Sequence, residues 1–363
     1  MKSPFEHWRK ILNNQEEPFM HLELNREYPE PGEAKLIEEM VKIFVERMKP
    51  QQGQIRRGQH ARATGCVRAI FKIRDDVSED FRYGVFQKPG KSFQSIVRFS
   101  NSSETIAPDG KGDARGMAIK LLDVDGIPAI AGTDNRCQDF LSVNYPVFPF
   151  ATPAEFVKFF GIRATPFVGD PLAVAWLALF HNRHMNIARE ILGEIAASPL
   201  ELTYWSASPY WLGSPATAAG CAVKYSLVPG FKGTALPEDP TGLPDDYLSQ
   251  ALERHLKTRE AVFEFRIQLQ TDPLAMPVED ASVEWDEKIS RPIPVATLTI
   301  GMQDVNSPEG RALAGECEAM AFSPWNALAE HRPMGGINRL RQAVYLASQA
   351  KRAVKAKDLR QTS

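Results

Sequence analysis

The stretch Ala261–Gln270, AVFEFRIQLQ, sets the fold class. Phe263, Phe265, Ile267 and Leu269 alternate with Glu264, Arg266, Gln268 and Gln270. A period of two residues belongs to a strand with one buried face, and Phe and Ile favour that state. Working outward, Cys66–Ile73, Ser95–Ser100, Met117–Leu122, Ala222–Val228 and Ile293–Ile300 are further short runs rich in β-formers. Strand signals therefore dominate from about Ala63 to Ile300. Helical spacing interrupts them at Pro153–Phe160, Asp170–Phe180, Asn186–Ala197 and Asp245–Lys257. An amphipathic helix is also predicted over Glu33–Met48, and another from about Asn338 onward. Many strands with a few helices predict an α+β chain: an antiparallel β-barrel with inserted helices, an N-terminal arm and C-terminal helices. Pro18, Pro29 and Pro31, set among charged residues, suit an extended arm over residues 1–31. The reading divides the chain into an arm and helix (1–56) and a barrel domain with its C-terminal helix (57–363).

Composition narrows the function. With 43% apolar and 24% charged residues, the 363-residue chain has ample material for a core. A formal net charge of −2 argues against a general polyanion binder, and there is no nucleic-acid motif. The most apolar run, Pro171–Phe180, is too short to span a bilayer. Cys66, Cys137, Cys221 and Cys317 form no CxxC or Cys/His metal pattern and read as reduced thiols. With no signal-like apolar run in MKSPFEHWRK, the expected location is the cytoplasm.

Four constellations carry chemistry. In MGGINRLRQAVYLASQAKR (Met334–Arg352), helical spacing sets Arg341, Tyr345 and Arg352 within about 40° of one another. A guanidinium beside a phenol favours the phenolate, which can ligate ferric iron. The plain alternative is a surface helix with solvated arginines. In RRGQHAR (Arg56–Arg62), His60 precedes a strand, where it is a candidate general base or a surface histidine in a basic loop. In IVRFS (Ile96–Ser100), alternation puts Arg98 and Ser100 on one face, able to bind an anion and orient a histidine if that face is covered. Asn144, at the end of an apolar strand before Pro146, either donates to a bound oxygen species or caps a turn.

Together these pieces resemble the haem catalase family, specifically its small catalase-related branch. RGQHARATG is similar to the family's R-x-x-H-A-x-G segment, IVRFSNS to its VRFS strand, and GDARGMAIKLLD to its DPRGFAVKFY strand. NYPVF is similar to its NTPVFF segment, SVEW to its TKVW, and Arg341 with Tyr345 to its R-x-x-x-Y proximal helix. The resemblance runs from about Arg57 to Arg352 in unbroken order. It implies haem, of the b type, with Tyr345 as iron ligand and Arg341 stabilising its phenolate. It also implies His60 as distal base, Ser100 as its partner, Asn144 as distal amide, and Arg57, Arg98 and Arg352 as propionate partners.

The implied function is a haem-dependent peroxidase that uses hydrogen peroxide or organic hydroperoxides through a ferryl intermediate, with weak catalase activity. The implied partners are a peroxide and a small-molecule reductant, and homo-oligomers through the N-terminal arm. An allene oxide synthase-like isomerase of lipid hydroperoxides and a non-catalytic haem-binding or sensing protein are the alternatives. Departures bear on the details. Gln59 stands where catalases place valine, and the family's catalytic amide aligns with Val143, so Asn144 serves only if the backbone shifts by one residue. Tyr345 lacks the family's following Pro-Asp, and the chain stops short of the long C-terminal helical domain of ordinary catalases.

Overall fold

The computed structural model describes residues 22–51, 54–133, 136–217, 219–234 and 242–352. The first part of the expected arm and the tail after Arg352 lie outside these. Eight strands close into an antiparallel barrel whose cyclic order is β10, β11, β3, β4, β5, β6, β7, β9. In chain order the paired strands are a short hairpin, β1 (Pro50–Gln51) and β2 (Gln54–Ile55), then β3 (Ala63–Ile73), β4 (Ser92–Asn101), β5 (Arg115–Leu122) and β6 (Cys137–Val143). They continue with β7 (Tyr204–Trp205), β8 (Tyr210–Gly213), β9 (Gly220–Pro229), β10 (Ala261–Leu269) and β11 (Ile293–Ile300). The ring closes where Phe263–Leu269 of β10 pairs with Pro229–Val223 of β9, while β8 extends the sheet from β9. Short β7 and β8 were not predicted, because neither is long enough to show a period.

Alternation fills the barrel. The inward side chains of neighbouring strands meet in one core that includes Phe71, Val97, Phe99, Ile119, Phe140, Tyr225 and Phe265. Phe140 and Phe265 lie 4.9 Å apart, and Phe71 and Phe265 meet edge to face at 5.2 Å. The strand that decided the fold class thus buries Phe263, Phe265 and Ile267 as predicted, while Leu269 at its end is only partly buried against the core.

Helices cover the outside: α1 (Glu33–Arg47), α2 (Pro153–Arg163), α3 (Gly169–Phe180), α4 (Asn182–Gly193), α5 (Tyr247–Leu256), α6 (Pro308–Ala319) and α7 (Gly336–Lys351). Helix α4 starts four residues before the predicted Asn186. Helix α6 was not predicted, although Ser307 caps it by accepting from Gly310 N at 3.0 Å and Pro308 opens it. Helices α1, α2 and α7 share a second core built on Met40, Phe156, Leu340 and Val344. The cysteine reading needs a correction. Helix α6 packs against β3, which brings two residues 251 positions apart together, and Cys66 and Cys317 form a disulfide. Cys137 and Cys221 remain free.

Arg339 pins the start of α7. Its guanidinium meets Glu33 at 2.6 Å, Glu27 at 2.7 Å and Glu279 at 2.9 Å. Burial opposes the charge, but the hydrogen bonds to Glu33 and Glu279 hold the arginine strongly protonated. Arg339→Ala takes the shared cation from the carboxylates of Glu33 and Glu279, while Glu27 keeps Arg332 at 2.6 Å, and is expected to cost about 3 kcal/mol. Urea unfolding would show this as a lower midpoint with an unchanged slope.

Candidate functional site

The outer face of β4–β5–β6 forms one wall of a cavity. Register sets Ser100 opposite Gly116 and Gly116 opposite Val143, with the row Arg98, Ala118 and Leu141 one pleat away. These six residues all line the cavity, while Val97, Phe99 and Ile119 point into the barrel. The face carrying Arg98 and Ser100 is therefore neither the barrel interior nor solvent, but a surface roofed by α7 and the segment before β3. Arg57, His60, Arg341, Tyr345 and Arg352 complete the lining, with Phe148, Phe156, Phe322 and Leu340 as apolar walls. The cavity leaves about 160 Å³ of space to the centre of a water molecule.

His60 sits at one side of this space. Its backbone is left-handed, with φ of 54°, a conformation that costs a non-glycine residue of order 1 kcal/mol. The strain is held by its own amide, which donates to Ser102 O at 3.0 Å, and by Arg98, which donates to His60 O at 2.9 Å. Its Nδ1 lies 2.9 Å from Ser100 Oγ, so the predicted serine partner is in place. Gly116 makes room for the ring: a Cβ there would stand 2.6 Å from His60 Cε1 and 2.9 Å from Ser100 Oγ. Glycine at 116 is thus a positioning residue that the motif contained without revealing its reason.

Burial, reinforced by the nearby Arg98 guanidinium, pushes the His60 imidazole down to about 4. His331 is likewise pushed down by burial, to about 3, and its Nε2 accepts from Val85 N at 2.9 Å. Both rings are neutral in the folded chain at neutral pH, whereas an unfolded histidine titrates near 6.5. Between about pH 6.5 and 4 the unfolded chain therefore binds more protons, and stability must fall as pH falls through that window. Each histidine contributes up to about 1.4 kcal/mol per pH unit. Urea midpoints measured from pH 7 to pH 4 should drop steadily, and a flat profile would refute the neutral, buried assignment.

Tyr345 lies on α7 one turn after Arg341. Arg341 Nη2 is 3.4 Å from the Tyr345 hydroxyl, and the guanidinium carbon is 5.4 Å from the ring centre. Burial opposes the Arg341 charge, but the surrounding Tyr345, Tyr210 and Tyr225 hydroxyls raise its affinity for the proton. Asn338 orients the arginine: its Oδ1 accepts from Arg341 Nη1 at 3.0 Å while its amide donates to Pro209 O at 2.9 Å. Sequence reading missed Asn338, since an i, i+3 polar pair on a helix carries no signal of its own.

At the other end, three arginines converge on Glu318, near the end of α6. Arg57 reaches its Oε2 at 2.8 Å, Arg98 reaches its Oε1 at 3.0 Å, and Arg352 Nη1 lies 3.4 Å from its backbone oxygen. Burial raises the Glu318 carboxyl, but Arg98 and Arg57 outweigh it and hold the group ionised. Burial and the neighbouring Arg98 push Arg57 well below the usual arginine range. Three guanidiniums against one carboxylate leave a local surplus of two positive charges. Among the described residues, the buried Nε of Arg352 has no hydrogen-bond partner. A flat apolar ligand with two carboxylates fits this end, and haem is such a molecule. A phenol beside a guanidinium and a neutral imidazole on the same cavity also suit it, so the residues present fit haem.

Asn144 is placed differently from the reading. The cavity is lined by Val143, and Asn144 is not among its lining residues. Its Oδ1 accepts from Arg115 N at 2.6 Å and its amide donates to Glu194 at 2.8 Å, so both ends are committed to structure. Strand β6 ends at Val143 without a one-residue shift, and alternation turns the next side chain away. The other seven predicted residues line this one cavity together.

Known proteins share parts of this chain's sequence and its fold. Residues 33–165 match the family model for catalase. Over 101 residues the chain is 31% identical to catalase easC of Arthroderma benhamiae and 32% identical to a catalase of Schizosaccharomyces pombe. Those matches cover 28% of this chain but only 19% and 18% of the two relatives, so the aligned stretch spans about a fifth of their length. Two solved structures share the fold more broadly. A fungal catalase has a TM-score of 0.66 at 20% identity, covering 96% of this chain and 68% of that one. Catalase A of Saccharomyces cerevisiae has a TM-score of 0.67 at 18% identity, covering 95% of this chain and 70% of that one.

Proposed function

We propose that this chain, which carries a catalase-family domain and the catalase fold, is a haem-dependent peroxidase acting on hydrogen peroxide and organic hydroperoxides, with weak catalase activity. One observation supports this reading above the rest: His60, Tyr345 and the arginines line one cavity. Haem, when bound, supplies the two-electron chemistry that breaks the peroxide O–O bond. Tyr345 Oη is the atom to ligate its iron, held by Arg341, and Arg57, Arg98 and Arg352 are the partners for its carboxylates.

The proton traffic belongs to His60. In the tautomer whose Nδ1–H donates to Ser100 Oγ, Nε2 carries the free lone pair and accepts the proton of the bound peroxide. The same Nε2 returns that proton to the departing oxygen, so an alcohol or water leaves rather than an anion. A base whose affinity for protons is depressed is neutral and ready throughout the physiological range. Val143 in place of a distal amide, and phenylalanines along the walls, favour organic hydroperoxides. A small organic reductant then restores the resting state. Among the described residues no helix is long and apolar enough to cross a membrane. The reading keeps the protein in the cytoplasm, where near-complete burial of Cys66 and Cys317 shields their disulfide from exchange. Homo-oligomers through the N-terminal arm belong to the same proposal.

The test is to reconstitute the full chain with haem b and follow its absorption while adding hydrogen peroxide or cumene hydroperoxide, with and without a phenolic reductant. The expected result is tyrosinate-type haem absorption that peroxide changes and reductant restores. Binding without a response to peroxide would favour a haem carrier or sensor. Rearranged epoxide or ketol from a fatty-acid hydroperoxide, formed without reductant, would favour an isomerase. No haem binding would overturn the proposal.

A further inference from the structure

A second cluster lies behind the cavity wall, at the junction of α2 and α4. Glu155 stands in the first turn of α2, and His181 and His184 stand at the start of α4, three residues apart on one helical face. Their donor atoms all fall within 4.8 Å of one another. Glu155 Oε1 is 3.7 Å from His181 Nδ1, and Glu155 Oε2 is 3.5 Å from His184 Nε2. An imidazole hydrogen-bonded to a carboxylate closes to roughly 2.7–3.2 Å, so neither pair is one. These separations, each to a different oxygen of the one carboxylate, instead lie close to the edge of a tetrahedron around an ion. Ligands about 2.0–2.2 Å from zinc stand roughly 3.3–3.6 Å apart.

The surroundings are built for that geometry. Ala151 N donates to Glu155 Oε2 at 2.9 Å, which holds the carboxylate, and Thr152 Oγ1 accepts from Glu155 N at 3.4 Å, which caps the helix turn that carries it. The His181 and His184 rings are nearly parallel at 5.3 Å, and Trp176 packs on His181 at 4.2 Å. His184 is 94% buried, yet among the described residues its Nδ1 has no hydrogen-bond partner. Its Nε2 faces the Glu155 carboxylate. A buried imidazole left this way lacks the pairing that burial ordinarily demands.

We propose that Glu155, His181 and His184 form a binding site for one divalent transition-metal ion of the zinc type, separate from the haem-fitting cavity. Two imidazoles and one carboxylate suit a borderline ion, and they leave a fourth position for water. The ion joins α2 to α4. Since α2 carries Phe156, a cavity wall residue, the ion braces that wall from behind. The assignment stands without the haem reading, because none of its three residues lines the cavity.

The experiment is equilibrium dialysis of the chelator-stripped full chain against zinc, with elemental analysis and a thermal melt. Glu155→Gln keeps an acceptor for Ala151 N and removes the charge, while His181→Ala trims a partly exposed ring, so both variants should fold. The parent should bind one zinc per chain and melt higher with zinc present. Each variant should bind at least about tenfold more weakly and lose the rise in melting temperature. A parent that binds no zinc overturns the proposal. So do variants that bind as tightly as the parent.

Discussion

Replacing His60 with alanine should slow peroxide turnover by about 10²- to 10⁴-fold, the range a positioned acid–base group contributes. Haem binding should persist, because Tyr345 and the three arginines are untouched. Among the residues lining the cavity no other neutral base stands in its place: Ser100, which meets Nδ1, is a hydroxyl that cannot take up a further proton near neutral pH. Alanine also inherits the left-handed backbone, so some stability will be lost with the hydrogen bond. Circular dichroism separates that loss from chemistry. Steady-state peroxidase rates at saturating reductant are the measurement, and a variant as fast as the parent would remove His60 from the mechanism.

Replacing Tyr345 with phenylalanine should weaken haem binding by at least about 100-fold, above the 10–100-fold cost of losing a mere outer partner of a metal ligand. The ring volume is kept, so the packing of α7 against α1 and α2 should survive. Arg341 loses the hydroxyl 3.4 Å from its Nη2 but retains Asn338. Titrating haem into parent and variant while following the Soret band gives the affinity ratio. An unchanged affinity and spectrum would mean that another group ligates the iron and that Tyr345 only packs.

Features set by local periodicity were legible in the sequence. A four-residue helical spacing joins Arg341 to Tyr345, and a two-residue strand spacing joins Arg98 to Ser100; both pairs meet the same cavity. The barrel followed from the succession of strand signals between about Ala63 and Ile300 with only a few helices among them. Features set by apposition were not legible. Glu318 gathers Arg57 and Arg98 only because the disulfide-linked α6 lies across β3, and nothing in GECEAM marks that glutamate. Cys66 and Cys317 read as free thiols for the same reason. Asn144 failed by a single residue, since the end of a strand decides which of two neighbours faces a ligand and which holds the backbone. Glu155, His181 and His184 come from two helices whose contact no spacing rule announces.

The closure of the barrel also sets a timetable. Strand β3 pairs on one edge with β4 soon after synthesis, but its other neighbour, β11, arrives only with Ile293–Ile300. At 5–20 residues per second that delay is on the order of ten to forty seconds. Throughout it, a strand bearing Val67, Phe71 and Ile73 presents an open edge, the kind of template on which chains aggregate. The ligand cavity comes later still, because α7 is its roof. Nascent chains of this protein therefore expose that edge until Ile293–Ile300 has been made, and the cavity stays unroofed until α7 follows.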